Sequence, residues 1–196
     1  GDFNTEIQKA VGTQKRGITV EPIKYYLDAL PNVEHVKKVQ TAISNFSGSI
    51  DIFSLRNPEK YGMPDWVRGC NSIRDYHPQV LKLVREANLN PNEVFTVEHV
   101  PVMTFTELVK GYRSCKFLKI DTEGHDPVVI GSYLDCVDAG NFELVPRILF
   151  EANELTSREN IEAILARLAT YGYTVEHRDQ YDIIVVRATP GVQETN

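Results

Sequence analysis

The chain is poor in the residues that mark several protein classes. It has three cysteines, Cys70, Cys115 and Cys136, odd in number and far apart. They suggest no disulfide framework and no zinc knuckle, and they fit a reducing compartment, so a cytoplasmic location is expected. No apolar run approaches the roughly 20 residues of a membrane span, and no secretory signal is visible at the start. There is no basic excess, since 21 Lys and Arg stand against 27 Asp and Glu for a formal charge of -6. That argues against a general nucleic-acid binder, which must neutralise phosphates. A full GxGxxG loop is absent, which removes the main support for a nicotinamide oxidoreductase. Internal repeats and low-complexity segments are absent as well.

What is present is an alternation of β-prone and helix-periodic stretches over 196 residues, a length that fits one domain with a substantial core. A single domain over 1–188 is expected, with a frayed tail over 189–196. The most informative stretch is Lys116 to Asp126. It opens apolar, as Phe117-Leu118-Lys119-Ile120, then turns acidic at Asp121, and a helical pattern starts at Pro127. This reads as a buried parallel strand, a short loop and a helix. Ligands collect at the carboxyl ends of strands in open α/β sheets, so Asp121, Glu123, His125 and Asp126 lie where chemistry is commonly done. The plainer alternative is an acidic surface loop in which an Asp caps the next helix.

Strands are also expected over Gly17–Val20, Val36–Ile43, Ser49–Phe53, Val94–Val102 and Arg147–Glu151. Thr104 with Glu107 forms a capping box for a helix through Tyr112, and Ser157 caps a long amphipathic helix ended by Gly172. The two last strands, Tyr173–His177 and Asp182–Ala188, are joined by so short a turn that they must be antiparallel. Glu21 ends the first of these strands before Pro22, about 20 residues after a glycine turn at Gly1. A ribose-binding acid sits there in nucleotide-cofactor folds, because a carboxylate accepts two hydroxyl hydrogen bonds. A solvated strand-end Glu is the alternative.

Residues 54–93 break the rhythm and form a long irregular insert. It holds Trp66, the only tryptophan, with Tyr61, Arg68, Asn71, Arg74, Tyr76 and His77. Aromatic faces, amides and guanidinium groups suit a polar, ring-shaped ligand, which would make the insert an acceptor-binding lid. A surface excursion packed by its own Trp would leave the same composition.

Alternating strands and helices with one reversed strand near the edge predict a mostly parallel, doubly wound α/β sheet of seven strands, the class I methyltransferase (Rossmann-like) plan. Its first strand is not found in the sequence, so the chain is expected to begin inside the first loop. The motifs then resemble a known family. Leu118-Lys119-Ile120-Asp121-Thr122-Glu123-Gly124-His125-Asp126 resembles the "LKIDVEGxE" signature of FkbM-type methyltransferases. Val20-Glu21-Pro22 is similar to that family's "FEP" turn, and Ala42-Ile43-Ser44-Asn45 with Ser47-Gly48 to its "AVSDxxG". Val102 to Leu108, Leu149-Phe150-Glu151 and Gly172-Tyr173 are similar to further segments, and only the insert lies outside the resemblance. His125 and Asp126 depart from the pattern, standing where a small residue and Glu are usual.

The resemblance implies an S-adenosylmethionine-dependent O-methyltransferase acting on a hydroxyl of a sugar, glycan or similar small polyol. It implies that Gly1, Asp2, Phe3 and Asn4 approach the methionine portion of the cofactor, Glu21 with Pro22 the ribose, Ile43 with Ser44 the adenine, and Asp121 the amino group or a metal. Trp66, Arg68, Asn71, Arg74, Tyr76, Glu151 and Asn153 are the expected acceptor contacts. Some class I O-methyltransferases hold a divalent ion, and Asp121 with Glu151 and Asn153 sits at comparable places, as hard oxygen ligands for Mg²⁺ or Mn²⁺. Otherwise Glu151 and Asn153 hydrogen-bond the loop or substrate. For the base, His125 is expected to deprotonate the acceptor, since imidazole accepts a proton near neutral pH, with Glu123 orienting it. The competing class is a non-catalytic glycan- or ligand-binding module that keeps the fold.

Overall fold

The computed structural model describes residues 9, 11–73 and 75–187. The expectations for Gly1, Asp2, Phe3, Asn4, Arg74 and the tail fall outside them. The chain divides at Met103/Thr104 into two compact units.

The first unit opens with a parallel pair, β1 (Gly17–Val20) and β2 (Val36–Val39), connected through the short helix α1 (Lys24–Ala29). β3 (Ala42–Ser44), β4 (Gly48–Ser54), β5 (Ser72–Ile73) and β6 (Thr96–Thr104) form a second sheet in the order β3-β6-β4-β5. β4 pairs antiparallel with both β5 and β6. The single strand expected over 36–43 is therefore two strands in two sheets. The break falls at Gln40-Thr41, where the fully buried Thr41 hydroxyl bonds main-chain carbonyls of Pro101 and Ala42, each at 3.0 Å. A side chain that bonds backbone in this way diverts the strand from its ladder.

The insert is built of two 3-10 turns (Pro58–Tyr61 and Asp65–Gly69), β5, α2 (Pro78–Glu86) and α3 (Pro91–Val94). It has a core of its own, from Leu55, Met63, Val67, Cys70, Val80, Val84, Val94 and Phe95. Trp66 is not in that core and stays 49% exposed, so the insert is not packed by its tryptophan. The sheet β3-β6-β4-β5 has a separate core, in which Ile23 from the end of the β1 turn meets Ile50, Ile52, Val100 and Val102.

The second unit carries α4 (Phe105–Leu108), β7 (Leu118–Ile120), α5 (Asp126–Asp138), β8 (Arg147–Glu151), α6 (Arg158–Thr170), β9 (Tyr173–Arg178) and β10 (Asp182–Arg187). Thr104 and Glu107 make both halves of the expected capping box, but α4 ends at Leu108 rather than continuing to Tyr112. The sheet order is β7-β8-β10-β9. β7 and β8 are parallel, and β10 runs antiparallel to both neighbours, as its short turn from β9 requires. α5 packs on this sheet through Val129, Ile130, Tyr133 and Leu134, all buried. Its Tyr133 hydroxyl accepts from Val145 N–H at 2.8 Å and meets the Tyr173 hydroxyl at 2.9 Å, which satisfies a polar group inside the core.

The class is thus mixed α/β, with parallel pairs β1-β2 and β7-β8 and otherwise antiparallel partners among the register pairs described. A single, mostly parallel sheet of seven strands is not what the described residues form. Three sheets appear, because β4 folds back on β6 as a long antiparallel pair instead of crossing over. No helix among the described residues is long and apolar enough to cross a membrane.

Candidate functional site

The carboxyl ends of β7 and β8 lie side by side, since Ile120 pairs with Phe150. Each strand ends in an acid, Asp121 after β7 and Glu151 as the last residue of β8. Between Asp121 and α5 the backbone turns through two left-handed residues, Glu123 (φ 51°) and Gly124 (φ 94°). That turn brings Glu123 back toward the strand ends. Carboxylate oxygens of Asp121, Glu123 and Glu151 all lie within 4.8 Å of one another.

Asp126 holds this arrangement from behind. Its carboxylate is fully buried and accepts three hydrogen bonds. Thr122 donates from N–H and Oγ1 to Oδ2 at 3.2 and 2.7 Å, and Glu151 N–H donates to Oδ1 at 3.0 Å. The expectation that Asp126 caps the following helix is corrected here. α5 begins at Asp126 itself, with His125 in the capping position and making no side-chain cap bond. The carboxylate is drawn away from the helix end because it answers three donors from the loop and from β8, and buried donors must find acceptors.

The electrostatics follow from crowding acids in a place with little water. Glu151 is pushed up to about 8, first by burial and then by the charges of Glu123, Asp121 and Asp126, against a hydrogen bond from Asn153. Asp126 is raised to about 6 by burial, although its three hydrogen bonds pull the other way. Burial also raises Asp121, and Lys119 opposes this with its Nζ 3.6 Å from Asp121 Oδ2. Glu151 Oε2 is buried and accepts no hydrogen bond among the described residues. A carboxyl raised to about 8 is a stronger base than an ordinary carboxylate once it is ionised, which it is above that pH.

Asn153 is not part of the carboxylate trio. Its Oδ1 accepts from Leu155 N–H at 2.9 Å, which shapes the loop after β8. Asn153 also hydrogen-bonds the Glu151 carboxylate, and Glu123 is a further oxygen donor beside Asp121 and Glu151. The separations within the trio fit three oxygens arranged around one small hard cation. His125 is half-buried next to this cluster in sequence, and its ring is not among the atoms that converge.

Gly124 is required where it stands. A Cβ there would come 2.9 Å from Leu155 Cβ, in a conformation that side chains rarely adopt. Gly124→Ala is expected to cost about 1–3 kcal/mol. Thermal unfolding should show this as roughly 2–4 °C per kcal/mol.

In the first unit Glu21 follows β1, and its Oε1 accepts from Ile23 N–H at 2.8 Å. Burial raises it to about 7, with the Glu98 charge adding and the Ile23 bond opposing. Ile43 and Ser44 are successive residues of β3, so their side chains point to opposite faces; Ser44 is buried and Ile43 half-buried. Among the insert residues, Arg68 pairs with Glu59 at 2.6 Å. Tyr76 is committed to packing, edge-on to Phe53 and tilted on Phe95, with its hydroxyl donating to Asn92 at 2.6 Å. Trp66 presents its ring to solvent.

Two features were missed in the sequence. Glu151 was assigned to ligand contact, although an acid ending a strand beside another acid-ending strand is the pattern that raises a pKa. Asp126 before Pro127 looks like a helix cap, and nothing local distinguishes a clamp from a cap. No protein-family model, curated protein or solved structure matches this chain.

Proposed function

We propose that the chain is an S-adenosylmethionine-dependent O-methyltransferase of the FkbM type, and that Glu151 rather than His125 takes the proton from the acceptor hydroxyl, on a sugar, glycan or similar polyol. The observation that carries the reading is the acid-lined end of β7 and β8 in a sheet of order β7-β8-β10-β9. There three strands share one direction and β10 alone is reversed, next to the edge. That order and direction support a reading as the closing half of a class I methyltransferase plan, with the acids at the strand ends where such folds do chemistry.

S-adenosylmethionine, when bound, supplies an electrophilic methyl group on a sulfonium. The chain must then hold a hydroxyl oxygen in line behind that methyl and relieve it of its proton as the new C–O bond forms. Orientation of this kind contributes up to about 7–11 kcal/mol, and a general base about 10²- to 10⁴-fold. Glu151 Oε2 is the acceptor for the proton, Glu123 and Asp121 keep its basicity high, and Asp126 fixes its main chain. Glu21 offers its second oxygen to the ribose diol, Oε1 being engaged by Ile23. Should a divalent ion take part, Asp121, Glu123 and Glu151 are the residues that would hold it, and it would supply charge stabilisation for the ionised acceptor.

Calorimetric titration tests the assignment. S-adenosylmethionine is expected to bind saturably and NAD not at all. Glu21→Gln should weaken binding by about 1.5–3 kcal/mol, roughly ten- to 150-fold. Binding of NAD instead, or of neither, would overturn the methyltransferase reading, and binding of neither would favour a non-catalytic module.

A further inference from the structure

Between Leu108 and Ile120 the chain carries four cations, Lys110, Arg113, Lys116 and Lys119, and no acid, although the formal charge of the whole chain is -6. Lys119 pairs with Asp121. Lys110 and Arg113 form no ion pair among the described residues, and both line one cavity of about 460 Å³ in the second unit. That volume falls within the roughly 300–1,000 Å³ of small-molecule sites. The cavity lies away from the carboxylate trio. Arg113 precedes β7 whereas the trio follows it, and α5 carries the chain about 20 Å from the trio before Asn141 joins the cavity wall.

Backbone bonds hold the wall in place. Tyr112 N–H donates to Val109 O at 2.8 Å, closing a turn in which Gly111 is left-handed at φ 92°. Glu143 N–H donates to Arg113 O at 2.8 Å, and Arg113 Nη1 donates to Gly140 O at 3.3 Å. The segment entering β7 is thus tied to the loop after α5, and the guanidinium keeps most of its five donors for something else. Lys110, Tyr112, Arg113 and Asn141 are all exposed, so a ligand reaches them from solvent. The wall is rich in donors: an ammonium, a guanidinium, the Asn141 amide and the hydroxyls of Thr106 and Tyr112. Its one acid is Glu107, whose Oε2 is already engaged by Thr104 N–H at 2.8 Å and Thr104 Oγ1 at 2.9 Å.

We infer that this cavity binds a small organic phosphomonoester, with its phosphate on Lys110 and Arg113 and its organic part against Tyr112. Charge selects the ligand. Two cations without acidic partners repel a metal ion, and a neutral molecule answers neither of them. A phosphomonoester carries about -1.5 to -2 near neutral pH and so matches both. A carboxylate or a phosphodiester supplies one charge only. The terminal phosphate oxygens also suit the donors, since a guanidinium fork takes two of them and an ammonium acts as a point charge on the third. The carboxylate trio repels the same anion, so the two ends of the unit separate ligands by charge. No residue is shared with the methyl-transfer site, and the inference stands apart from that reading.

Calorimetric titration of the whole chain tests this with phenyl phosphate, glycerol 3-phosphate, inorganic phosphate, benzoate and a single-stranded oligonucleotide lacking terminal phosphates. At least one of the two esters should bind saturably, more tightly than inorganic phosphate or benzoate, and less tightly as salt is raised. Lys110→Ala and Arg113→Gln should each weaken that ester about tenfold or more, the loss that goes with a charge-assisted hydrogen bond. Tyr112→Ala should weaken the ester and leave inorganic phosphate unaffected. Lys116→Ala removes a cation of the same stretch that is not on the cavity wall, and it should bind as wild type does. If neither ester binds, or if Lys116→Ala costs as much as Lys110→Ala, the cations are a solvated face and the inference fails. It fails also if inorganic phosphate or benzoate binds as tightly as the esters, which would mean an adventitious ion only. Tighter binding of the oligonucleotide than of either ester overturns it in favour of a polynucleotide.

Discussion

Glu151→Gln should lower turnover by about 10²- to 10⁴-fold, the range that a positioned general base contributes. The substitution keeps the shape and removes the proton acceptor. For the wild type, kcat/KM should rise with pH and level off above about 8, because Glu151 must lose its proton before it can accept one and burial among acids holds it up to about 8. The variant should lack this limb. His125→Ala should keep both the limb and most of the turnover. If His125→Ala abolishes the limb while Glu151→Gln retains it, the base is the histidine. The same raised pKa has a stability consequence of fixed sign. An acid whose pKa is higher folded than unfolded binds the more protons in the native state, so stability is greatest below about 4.5 and is lost as pH rises toward about 8. Glu151→Gln should therefore flatten the fall in melting temperature between those pH values.

Asp126→Ala should cost about 3–5 kcal/mol, the largest single-residue loss expected in the second unit. Three donors converge on this carboxylate, and the alanine leaves the Thr122 and Glu151 N–H groups buried without acceptors. A loss of that size lowers the melting temperature by roughly 6–20 °C at 2–4 °C per kcal/mol. Asp126→Asn should cost less, about 1–3 kcal/mol, since its carbonyl oxygen still answers one N–H while its amide must face another donor. Equal losses in the two variants would mean that Asp126 acts by filling space. A loss below 1 kcal/mol in both would mean that the clamp adds nothing to stability.

The second unit was more legible in the sequence than the first, for reasons that can be located. β8 and its terminal Glu151 stand where the apolar run Arg147–Glu151 puts them, and the Ser157 cap of α6 accepts from Asn160 N–H as the pattern implies. The turn between β9 and β10 is too short for anything but an antiparallel pair, and that is how they pair. In the first unit local signals were equally clear, yet they could not say which sheet a strand joins. Val36 to Ile43 reads as one β-prone run, and only the distant Pro101 carbonyl, which bonds Thr41, reveals that it is cut in two. Likewise the insert's composition drew attention to Trp66 and Tyr76 as ligand rings, whereas packing decides that Tyr76 is structural and Trp66 is not. For the site, residue types at strand ends were visible, but the raised basicity of Glu151 depends on burial and on three acids from one distant segment of chain, residues 121–126. Separation in space, not in sequence, sets it.

The insert leaves the sheet at Ser54 and returns at Thr96, and these two residues are direct partners across β4 and β6. Its two ends are therefore one strand spacing apart, the gap that an ordinary hairpin turn closes. Since its apolar core is also its own, the segment behaves as a cassette: its length is not tied to the register of β4 on β6.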